Sequence, residues 1–458
     1  MEKVINTPCG QIKGTDCRIP GVIAYKGIRY ATAKRWEYPS LVESWDGIYD
    51  ATKYGNCSYQ PRSFYDEEYN EKKYFYYNEF RKGEAYTYDD DCLFLNIWTP
   101  ETATPGRKLP VLVYIHGGGF TGGCAHEKHF DDPIWPTNDV VAVTINYRLG
   151  PMGFMCLPEL EAEAGHTGNY GLYDQMAALR WVKKNIESFG GDPDEMTIMG
   201  QSAGAMSVQH LCQSPLTDGL FNKAVMSSGC MTMDILTSNP VKAGEFWQEV
   251  MRRLDCNSLE EFRAVPAEKL FDAWQTAKKE LKGAMMTGVP VKDELFIVSN
   301  PKVKDIPYMI GSTSEDMMPP FLYSMGKKWA IKNNVTSYGW FFDRRLPGDD
   351  NGAWHSSDLW YWFGTLDRCW RPMTEKDYKL SNEMVAYLMS FVKTGNPNQG
   401  TGCSGNCATC VSHSGLPVWE PVNASGKLMR FGEGSTGMGK ASMIKLIKTM
   451  FTNKAVGE

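Results

Sequence analysis

The sequence predicts an α/β fold with a mostly parallel central sheet, because strand-like apolar runs and an amphipathic helix follow one another along the chain. Residues 109–115 (LPVLVYI) and 140–145 (VVAVTI) are continuous apolar runs, which are typical of strands buried on both faces of a parallel sheet. Residues 171–188 place apolar side chains at steps of three and four, as one face of a helix requires. The glycines at 190 and 191 then end that helix.

Short elements continue the alternation further along the chain. Residues 196–199 are predicted to form a strand and residues 203–212 a helix. Residues 224–226 and 307–310 are predicted to be two more buried strands. This order of strands and helices indicates a parallel sheet with helices packed on its faces.

Two stretches interrupt the alternation. Residues 64–91 are dense in tyrosine and acidic side chains, and residues 401–414 are rich in Gly, Ser and Cys and are predicted to be a surface loop. Neither has the character of an interdomain linker. We therefore expect one domain that spans residues 1–458.

Composition excludes some classes of partner. The 458 residues contain 48 Lys and Arg against 54 Asp and Glu, a formal net charge of −6, which predicts no nucleic acid and no anionic membrane as partner. The N-terminal residues MEKVINTPCGQIKG contain no apolar signal segment. No apolar stretch of about 18 residues occurs, so we expect no membrane span. These observations favour a cytoplasmic protein whose 13 cysteines are mostly reduced, and they leave the oligomeric state open.

A candidate nucleophile lies between a predicted strand and a predicted helix. Residues 200–204 read GQSAG, and a G-x-S-x-G segment in that context is typical of a serine held up on a tight turn. The helix N-terminus there favours developing negative charge near the Ser202 hydroxyl. The alternative is a glycine-rich turn in which Ser202 only caps the helix.

A glycine-rich segment follows the predicted strand at 109–115. Residues 116–120 read HGGGF, and consecutive glycines let backbone N–H groups approach a substrate oxygen without interference from Cβ atoms. Gly118 and Gly119 are the predicted donors, and the N–H of Ala203 is the third donor. Such donors stabilise the oxyanion of a tetrahedral intermediate. The alternative is a plain glycine turn.

The base and the acid are expected after Ser202, in the order nucleophile, acid, histidine. Three histidines qualify by position. His210 is too far along the helix that begins after Ser202, and His413 lies in the Cys/Gly/Ser loop, so His355 is the predicted base. The acid is expected in the turn at residues 312–316 (STSED), where the residues alone do not choose between Glu315 and Asp316. Either could instead be a solvated loop carboxylate.

Several blocks of the sequence together resemble a known family. They are residues 91–98 (DCLFLNIW), 116–120 (HGGGF), 146–150 (NYRLG), 168–172 (GNYGL) and 189–193 (FGGDP), followed by the GQSAG segment. The chain resembles the type B carboxylesterases, the family of the cholinesterases and the bacterial para-nitrobenzyl esterases. The resemblance implies an α/β-hydrolase fold, with a mostly parallel sheet flanked by helices.

The resemblance also implies roles for later residues. Residues 314–317 (SEDM) resemble the family's acid turn, in which the second carboxylate belongs to the triad, and this selects Asp316. Residues 352–359 (GAWHSSDL) resemble the block that holds the triad histidine, and this selects His355. Ser228 matches a family serine that supports the acid. Gln201 stands where many relatives have Glu, so one carboxylate beside the nucleophile is lost.

Three further features differ from the family pattern. The interval from Asp316 to His355 is 355 − 316 = 39 residues, where relatives have a longer run of helices, so the resemblance implies a shortened helical lid. No tryptophan matches the one that would hold a quaternary ammonium group, which argues against choline esters. Asp and Met stand at 316 and 317 where the family usually has Glu and Gly.

The cysteines have two alternative roles. Cys57 and Cys92 lie where secreted relatives form a disulfide, and without a visible signal segment we expect thiols. Cys403, Cys407 and Cys410 have a spacing that could bind a metal, but we favour a plain loop because a fourth ligand is not obvious.

The predicted function is hydrolysis of a small-molecule carboxylic ester through an acyl-enzyme on Ser202, with no cofactor and no metal. Aromatic side chains are dense between Cys57 and Cys92, and in relatives this region runs along the rim of the active site. Flat aromatic acyl groups are therefore one predicted substrate class, although these rings could instead pack against each other. The alternatives are an amidase, lactonase or acyltransferase with the same triad, or a non-catalytic binding protein on this fold.

Overall fold

The computed structural model describes residues 2–66, 68, 74–229, 237–281, 286–400, 414–434 and 436–452. The strands in this part of the chain are β1 (Glu2–Thr7), β2 (Gly10–Asp16), β3 (Val22–Arg29), β4 (Ala31–Thr32), β5 (Ser40–Leu41), β6 (Ile48–Asp50), β7 (Phe94–Pro100), β8 (Leu109–Ile115), β9 (Val141–Ile145), β10 (Gly191–Gln201), β11 (Lys223–Ser227), β12 (Tyr308–Thr313), β13 (Ser337–Phe342), β14 (Leu428–Phe431) and β15 (Gly437–Gly439). The α-helices are α1 (Tyr74–Phe80), α2 (Gly150–Gly153), α3 (Pro158–Ala164), α4 (Tyr170–Asn185), α5 (Ala203–Gln213), α6 (Pro240–Arg253), α7 (Leu259–Ala264), α8 (Ala267–Glu280), α9 (Pro319–Asn333), α10 (Leu359–Phe363), α11 (Glu375–Thr394) and α12 (Met443–Thr452).

Thirteen of these strands form one sheet in the order β1-β2-β3-β7-β9-β8-β10-β11-β12-β13-β14-β15, with β6 paired to β2. From β9 to β14 every neighbouring pair is parallel. The pairs from β1 to β9 along the path and the last pair, β14 with β15, are antiparallel. This arrangement confirms the predicted mostly parallel sheet.

The central strand β8 shows why the sequence predicts burial on both faces. Val111, Val113 and Ile115 belong to the core on one face of the sheet, where α4 and α5 pack. Leu112 and Tyr114 belong to the core on the opposite face, where α10 and α11 pack. Because successive side chains of a strand point to opposite faces, a continuous apolar run is what such a strand requires.

The helices α6, α7 and α8 form a third apolar cluster with residues of α3 and the chain before it. They lie between β11 and β12 in sequence. Between Asp316 and His355 the structure has only α9 and β13 as regular elements. No helix within the described ranges is both long enough and apolar enough to cross a membrane.

One element differs in length from its prediction. The strand predicted at 196–199 is the C-terminal half of β10, which begins at Gly191. Its first half is polar and partly exposed, and its register against β8 shifts between Gly191 and Met196. Apolar runs therefore identified only the half of β10 that is buried.

A buried ion pair connects the end of β9 to α4. The Arg148 side chain donates to both carboxylate oxygens of Asp174, at 2.7 and 2.8 Å, and it also donates to the backbone oxygens of Lys34 and Glu37. Asp174 is fully buried. Removing either partner would leave an uncompensated buried charge, so this pair fixes the chain that follows β9 against α4.

Candidate active site

Ser202 lies in a tight turn between β10 and α5. Its backbone has φ 56° and ψ −126°, a region that L-amino acids rarely adopt and that costs about 1–3 kcal/mol. The Ser202 N–H donates to the Ser227 oxygen at 2.9 Å, and its carbonyl accepts from the Met206 N–H at 3.0 Å. These bonds hold the residue where β10 meets α5, with its side chain partly exposed.

The glycines on either side of Ser202 are required by close backbone contacts. A Cβ atom on Gly200 would lie 2.2 Å from the Gly204 oxygen, and one on Gly204 would lie 2.1 Å from the Ile115 oxygen. Side chains at either position would therefore force the turn open. The G-x-S-x-G pattern is thus explained here by packing of α5 against the ends of β8 and β10.

The glycine loop lies next to Ser202 because of strand register. β8 and β10 are adjacent and parallel, with Ile115 opposite Gly200, so the chain that leaves β8 passes the turn at Ser202. Gly118 and Gly119 are exposed, whereas Phe120 is fully buried. Gly118 has φ 108°, and its carbonyl accepts from the N–H groups of Thr121 and Gly122 at 3.0 and 2.9 Å.

Ala203 begins α5, and the first N–H groups of a helix have no partner within the helix. Ala203 directly follows Ser202, so its N–H and the exposed glycine backbone lie on the same edge of the sheet. A Cβ atom on Gly117 would lie 3.0 Å from Ser202 Cβ, so the loop that continues to Gly118 and Gly119 passes beside the turn formed by Ser202 and Ala203.

His355 and Asp316 form a buried hydrogen-bonded pair. His355 Nδ1 lies 2.6 Å from Asp316 Oδ1, and Asp316 is only 3% exposed. The other oxygen, Asp316 Oδ2, accepts from Ser228 Oγ at 2.6 Å and from Thr313 Oγ1 at 3.0 Å. The Met317 N–H donates to Oδ1 at 2.8 Å. Since the carboxylate only accepts, Nδ1 carries the proton and Nε2 carries the lone pair.

The neighbouring carboxylate, Glu315, points elsewhere. Its side chain is paired with Arg345, and its backbone N–H donates to the Ala353 oxygen at 3.0 Å. The structure therefore places Asp316, and not Glu315, against His355. The Glu315–Ala353 backbone bond connects the acid turn directly to the chain before His355.

The charges of the pair are complementary. Burial alone would raise the pKa of Asp316, but the His355 imidazole and the Ser228 hydroxyl hold it below its ordinary value. Burial alone would lower the pKa of His355, but Asp316 raises it above the ordinary value. Each group therefore stabilises the charged form of the other.

Gln201 contacts the other side of the same imidazole. Its side-chain Nε2 lies 3.2 Å from His355 Nε2, and the residue is 3% exposed. With the lone pair on Nε2, the Gln201 amide is the donor. The sequence indicated only that a family carboxylate is missing at 201, and it did not predict this contact, which joins residues 154 positions apart.

Asp358 is a second buried carboxylate near His355, and sequence reasoning missed it. Its Oδ2 accepts from Ser227 Oγ at 3.0 Å and from Trp362 Nε1 at 3.1 Å, whereas Oδ1 is buried and has no hydrogen-bond partner among the described residues. Burial raises the pKa of Asp358 to about 6. The signal in the sequence was its position three residues after His355.

Aromatic side chains of α1 lie over the chain that carries His355. The Phe75 and Tyr76 rings contact the Trp354 ring at 5.0 and 6.0 Å, and Asp316 raises the pKa of Tyr76 in addition to the larger effect of burial. Phe80 is buried against the same indole, whereas Tyr74 is 39% exposed. The inner rings therefore pack on Trp354, and the outer ring faces solvent.

The cysteine predictions have different outcomes. Cys57 and Cys92 are free and buried, which confirms the prediction of thiols. Cys403, Cys407, Cys410 and His413 lie outside the described residues.

Comparisons with known proteins point to one family. The sequence model of the carboxylesterase family matches residues 1–339 and 323–450. Para-nitrobenzyl esterase of Bacillus subtilis (strain 168) is 30% identical over 468 residues, which cover 86% of this chain and 91% of that protein.

Other relatives are longer or more distant. Human carboxylesterase 5A is 33% identical over 329 residues, covering 68% of this chain and 54% of that protein. Human bile salt-activated lipase is 27% identical over 555 residues, covering 98% of this chain and 68% of that protein. A solved structure of PNB esterase superposes with a TM-score of 0.79 at 26% identity, and the match covers 99% of this chain and 100% of that one.

We expect the stability of Asp358→Asn, measured relative to wild type, to increase as pH rises. The pKa of Asp358 is about 6 in the folded protein against an ordinary 3.8. The protonated side chain therefore contributes fully to the stability of the folded state below about pH 4, and this contribution is lost as pH rises through about 6. The variant is always neutral, so its Tm relative to wild type should climb between these pH values. Thermal unfolding at a series of pH values measures this.

Asp377→Asn is the matched control of opposite sign. Burial would raise the Asp377 pKa, but the Arg344 guanidinium and the Tyr361 hydroxyl lower it to about 2. The charged Asp377 stabilises the folded state above its ordinary pKa, and this stabilisation is lost only as pH falls through about 2. Asp377→Asn should therefore be less stable than wild type at every pH value at which Asp358→Asn is compared. A Tm difference for Asp358→Asn that does not change with pH would contradict the assignment.

Proposed function

The chain belongs to the carboxylesterase family, and on that premise we propose that Ser202 attacks the carbonyl carbon of an ester with His355 as base and Asp316 as the orienting acid. The protein is a serine carboxylester hydrolase of the α/β-hydrolase fold. The observation that carries the residue assignment is the buried pair of His355 and Asp316, joined at 2.6 Å beside the strained turn at Ser202.

The proposed proton path uses one imidazole in two directions. Asp316 holds Nδ1–H and keeps the lone pair on Nε2, which takes the proton of Ser202 as its oxygen attacks. In this structure the lone pair accepts from the Gln201 amide, so that contact must give way to the Ser202 hydroxyl. The imidazolium then gives its proton to the departing alcohol, and a water molecule repeats the sequence to release the acid.

The proposed oxyanion site is made of backbone. The N–H groups of Gly118, Gly119 and Ala203 would donate to the carbonyl oxygen as it becomes negative. Because these donors are held by β8 and α5, little reorganisation is needed when the charge develops. We propose no metal and no cofactor in the reaction.

We propose that residues 1–458 act as one catalytic domain, which the continuous 13-stranded sheet supports. We also propose a cytoplasmic location, which the free buried thiols support.

We expect Ser202→Ala to lower kcat by about a thousandfold or more without loss of the fold. A fluorophosphonate probe should label the wild-type chain at one serine and leave the variant unlabelled. The control is Ser207→Ala, which should retain labelling. Ser207 lies in α5, and its hydroxyl accepts a hydrogen bond from the Gln175 side chain. Labelling that persists in Ser202→Ala would show that another residue is the nucleophile.

We expect Asp316→Asn to lower kcat strongly and Glu315→Gln to change it little, because only Asp316 contacts His355. The pH profile of kcat/KM adds a second readout. Asp316 raises the pKa of His355, and the imidazole must be neutral to act as base, so the acidic limb should move to lower pH in Asp316→Asn. If Glu315→Gln showed the larger loss instead, the acid would be the neighbouring carboxylate.

We propose that aromatic acyl groups are favoured substrates. The support is the exposed Tyr74 ring at the start of α1, with Phe75 and Tyr76 behind it on Trp354. Since Trp354 immediately precedes His355, a ring that enters above the base would meet these side chains. Each well-placed ring contact stabilises a flat acyl group by roughly 0.5–1.5 kcal/mol.

We expect Tyr74→Ala to lower the preference for an aryl-acyl ester over the acetate of the same alcohol by roughly 2- to 12-fold, the equivalent of one such ring contact. The ratio of the two kcat/KM values measures it. Tyr378→Ala, which removes a similarly exposed ring (45%) on α11, should leave the ratio unchanged. A tenfold preference for acetate or butyrate that Tyr74→Ala does not alter would contradict the proposal.

A further inference from the structure

Three buried side chains with metal-binding atoms meet beside the glycine loop. The ligand atoms of Cys57, Cys124 and His126 all lie within 4.8 Å of one another. Both cysteines are fully buried and His126 is 7% exposed. None of the three takes part in the proposed reaction.

The spacing fits a tetrahedral zinc ion. Zinc binds thiolate sulfur at about 2.3 Å and imidazole nitrogen at about 2.1 Å, and tetrahedral angles then separate sulfur from nitrogen by roughly 3.6 Å. Cys57 Sγ lies 3.8 Å from His126 Nε2. The two atoms therefore need to move only slightly to share one ion.

The imidazole is prepared to act as a ligand. Its ring is stacked on Tyr54, with centroids 4.3 Å apart and planes within 5°, so its orientation is fixed. His126 is 7% exposed, so little solvent competes for its ring nitrogen atoms. Its Nε2 faces the Cys57 sulfur.

The hydroxyl of Tyr86 is the candidate for a fourth ligand. This oxygen is buried and has no hydrogen-bond partner among the residues that the structure describes, which is costly for a hydroxyl. The Tyr86 ring lies 5.3 Å from the His126 ring. The residue that follows it, Thr87, accepts from the Cys57 N–H at 2.8 Å, so Tyr86 lies beside the cluster.

Charge favours a divalent ion over a monovalent one. Two thiolates balance Zn²⁺ and leave the buried site neutral, whereas a monovalent ion would leave one negative charge. The cation nearby, Arg81, is already paired with Glu127 at 3.0 Å, so it does not need the thiolates as partners. A neutral centre has the smaller desolvation penalty.

We propose that Cys57, Cys124 and His126 form a structural zinc site, with the Tyr86 hydroxyl as the fourth ligand. Binding forms two zinc–sulfur bonds, one zinc–nitrogen bond and one zinc–oxygen bond; the two thiol protons pass to solvent and the Tyr86 hydroxyl keeps its proton. No oxidant or reductant is involved. The site does not depend on the assignment of Ser202.

The position of the site gives it a role. Cys124 directly follows Gly123, whose N–H and carbonyl are both bonded to the Gln60 side chain, at 3.1 and 3.0 Å. Zinc would add a second connection between the same two segments, from Cys57 to Cys124. The end of the loop that carries Gly118 and Gly119 would then be held at two points.

The test uses the full-length protein, treated with a chelator and a reductant and then titrated with Co²⁺. We expect one equivalent to bind with a sulfur-to-cobalt charge-transfer band, and Zn²⁺ to displace it and raise Tm. Cys57→Ser and His126→Gln should each weaken Co²⁺ binding by at least about a hundredfold, because even changes outside the ligand set weaken it 10- to 100-fold. Circular dichroism of His126→Gln shows that the variant is folded.

The control is a variant with Cys403, Cys407 and Cys410 all changed to Ser, which removes the other cysteine cluster. It should keep the band. The proposal is overturned if wild-type protein gives no thiolate–cobalt band, or if the band is lost in the triple variant and retained in Cys57→Ser. A Cys57–Cys124 disulfide in protein isolated under reducing conditions would also overturn it.

Discussion

Ser202 has a backbone conformation that neighbouring strands must hold in place, and the site is arranged around that requirement. The turn is possible only because α5 approaches the ends of β8 and β10 so closely that Gly200 and Gly204 have no room for a Cβ atom. The same approach sets the glycine loop beside Ser202, since Ile115 lies opposite Gly200. The Ser202 N–H is bonded to Ser227, so β11 and Ser228 are fixed relative to the turn as well. The close packing that permits the strained turn therefore also positions the glycine loop and Ser228.

Two buried carboxylates near His355 have opposite properties because their partners differ. Asp316 accepts from His355, Ser228, Thr313 and the Met317 backbone, and these donors favour its charged form. Asp358 has one oxygen with two donors and one oxygen without a partner among the described residues, so burial dominates. The imidazole is therefore next to one carboxylate that stays charged and another that is readily protonated.

The sequence predicted the parts of this molecule that are set by local patterns. The apolar runs identify β8 and β9 and the periodicity identifies α4, because burial on defined faces is visible in one short segment. The residues alone did not show the choice between Glu315 and Asp316, since adjacent carboxylates differ only in where the turn directs them, and only the family resemblance selected Asp316. That direction comes from the Glu315–Ala353 bond and the Arg345 partner, which lie further along the chain. The contact of Gln201 with His355 was missed for the same reason, because it depends on tertiary structure.

The order of the site residues along the chain has a consequence for how the protein is made. His355, the proposed base, lies 154 residues after Gln201, and β12 and β13, which lead to Asp316 and His355, join the sheet beside strands already synthesised. At a translation rate of about 5–20 residues per second, the proposed nucleophile, Ser202, would leave the ribosome on the order of ten seconds before the proposed base. A nascent chain that has completed α5 therefore carries a serine without a partner. The proposed triad is complete only when β12 and β13 have joined the sheet and placed Asp316 against His355.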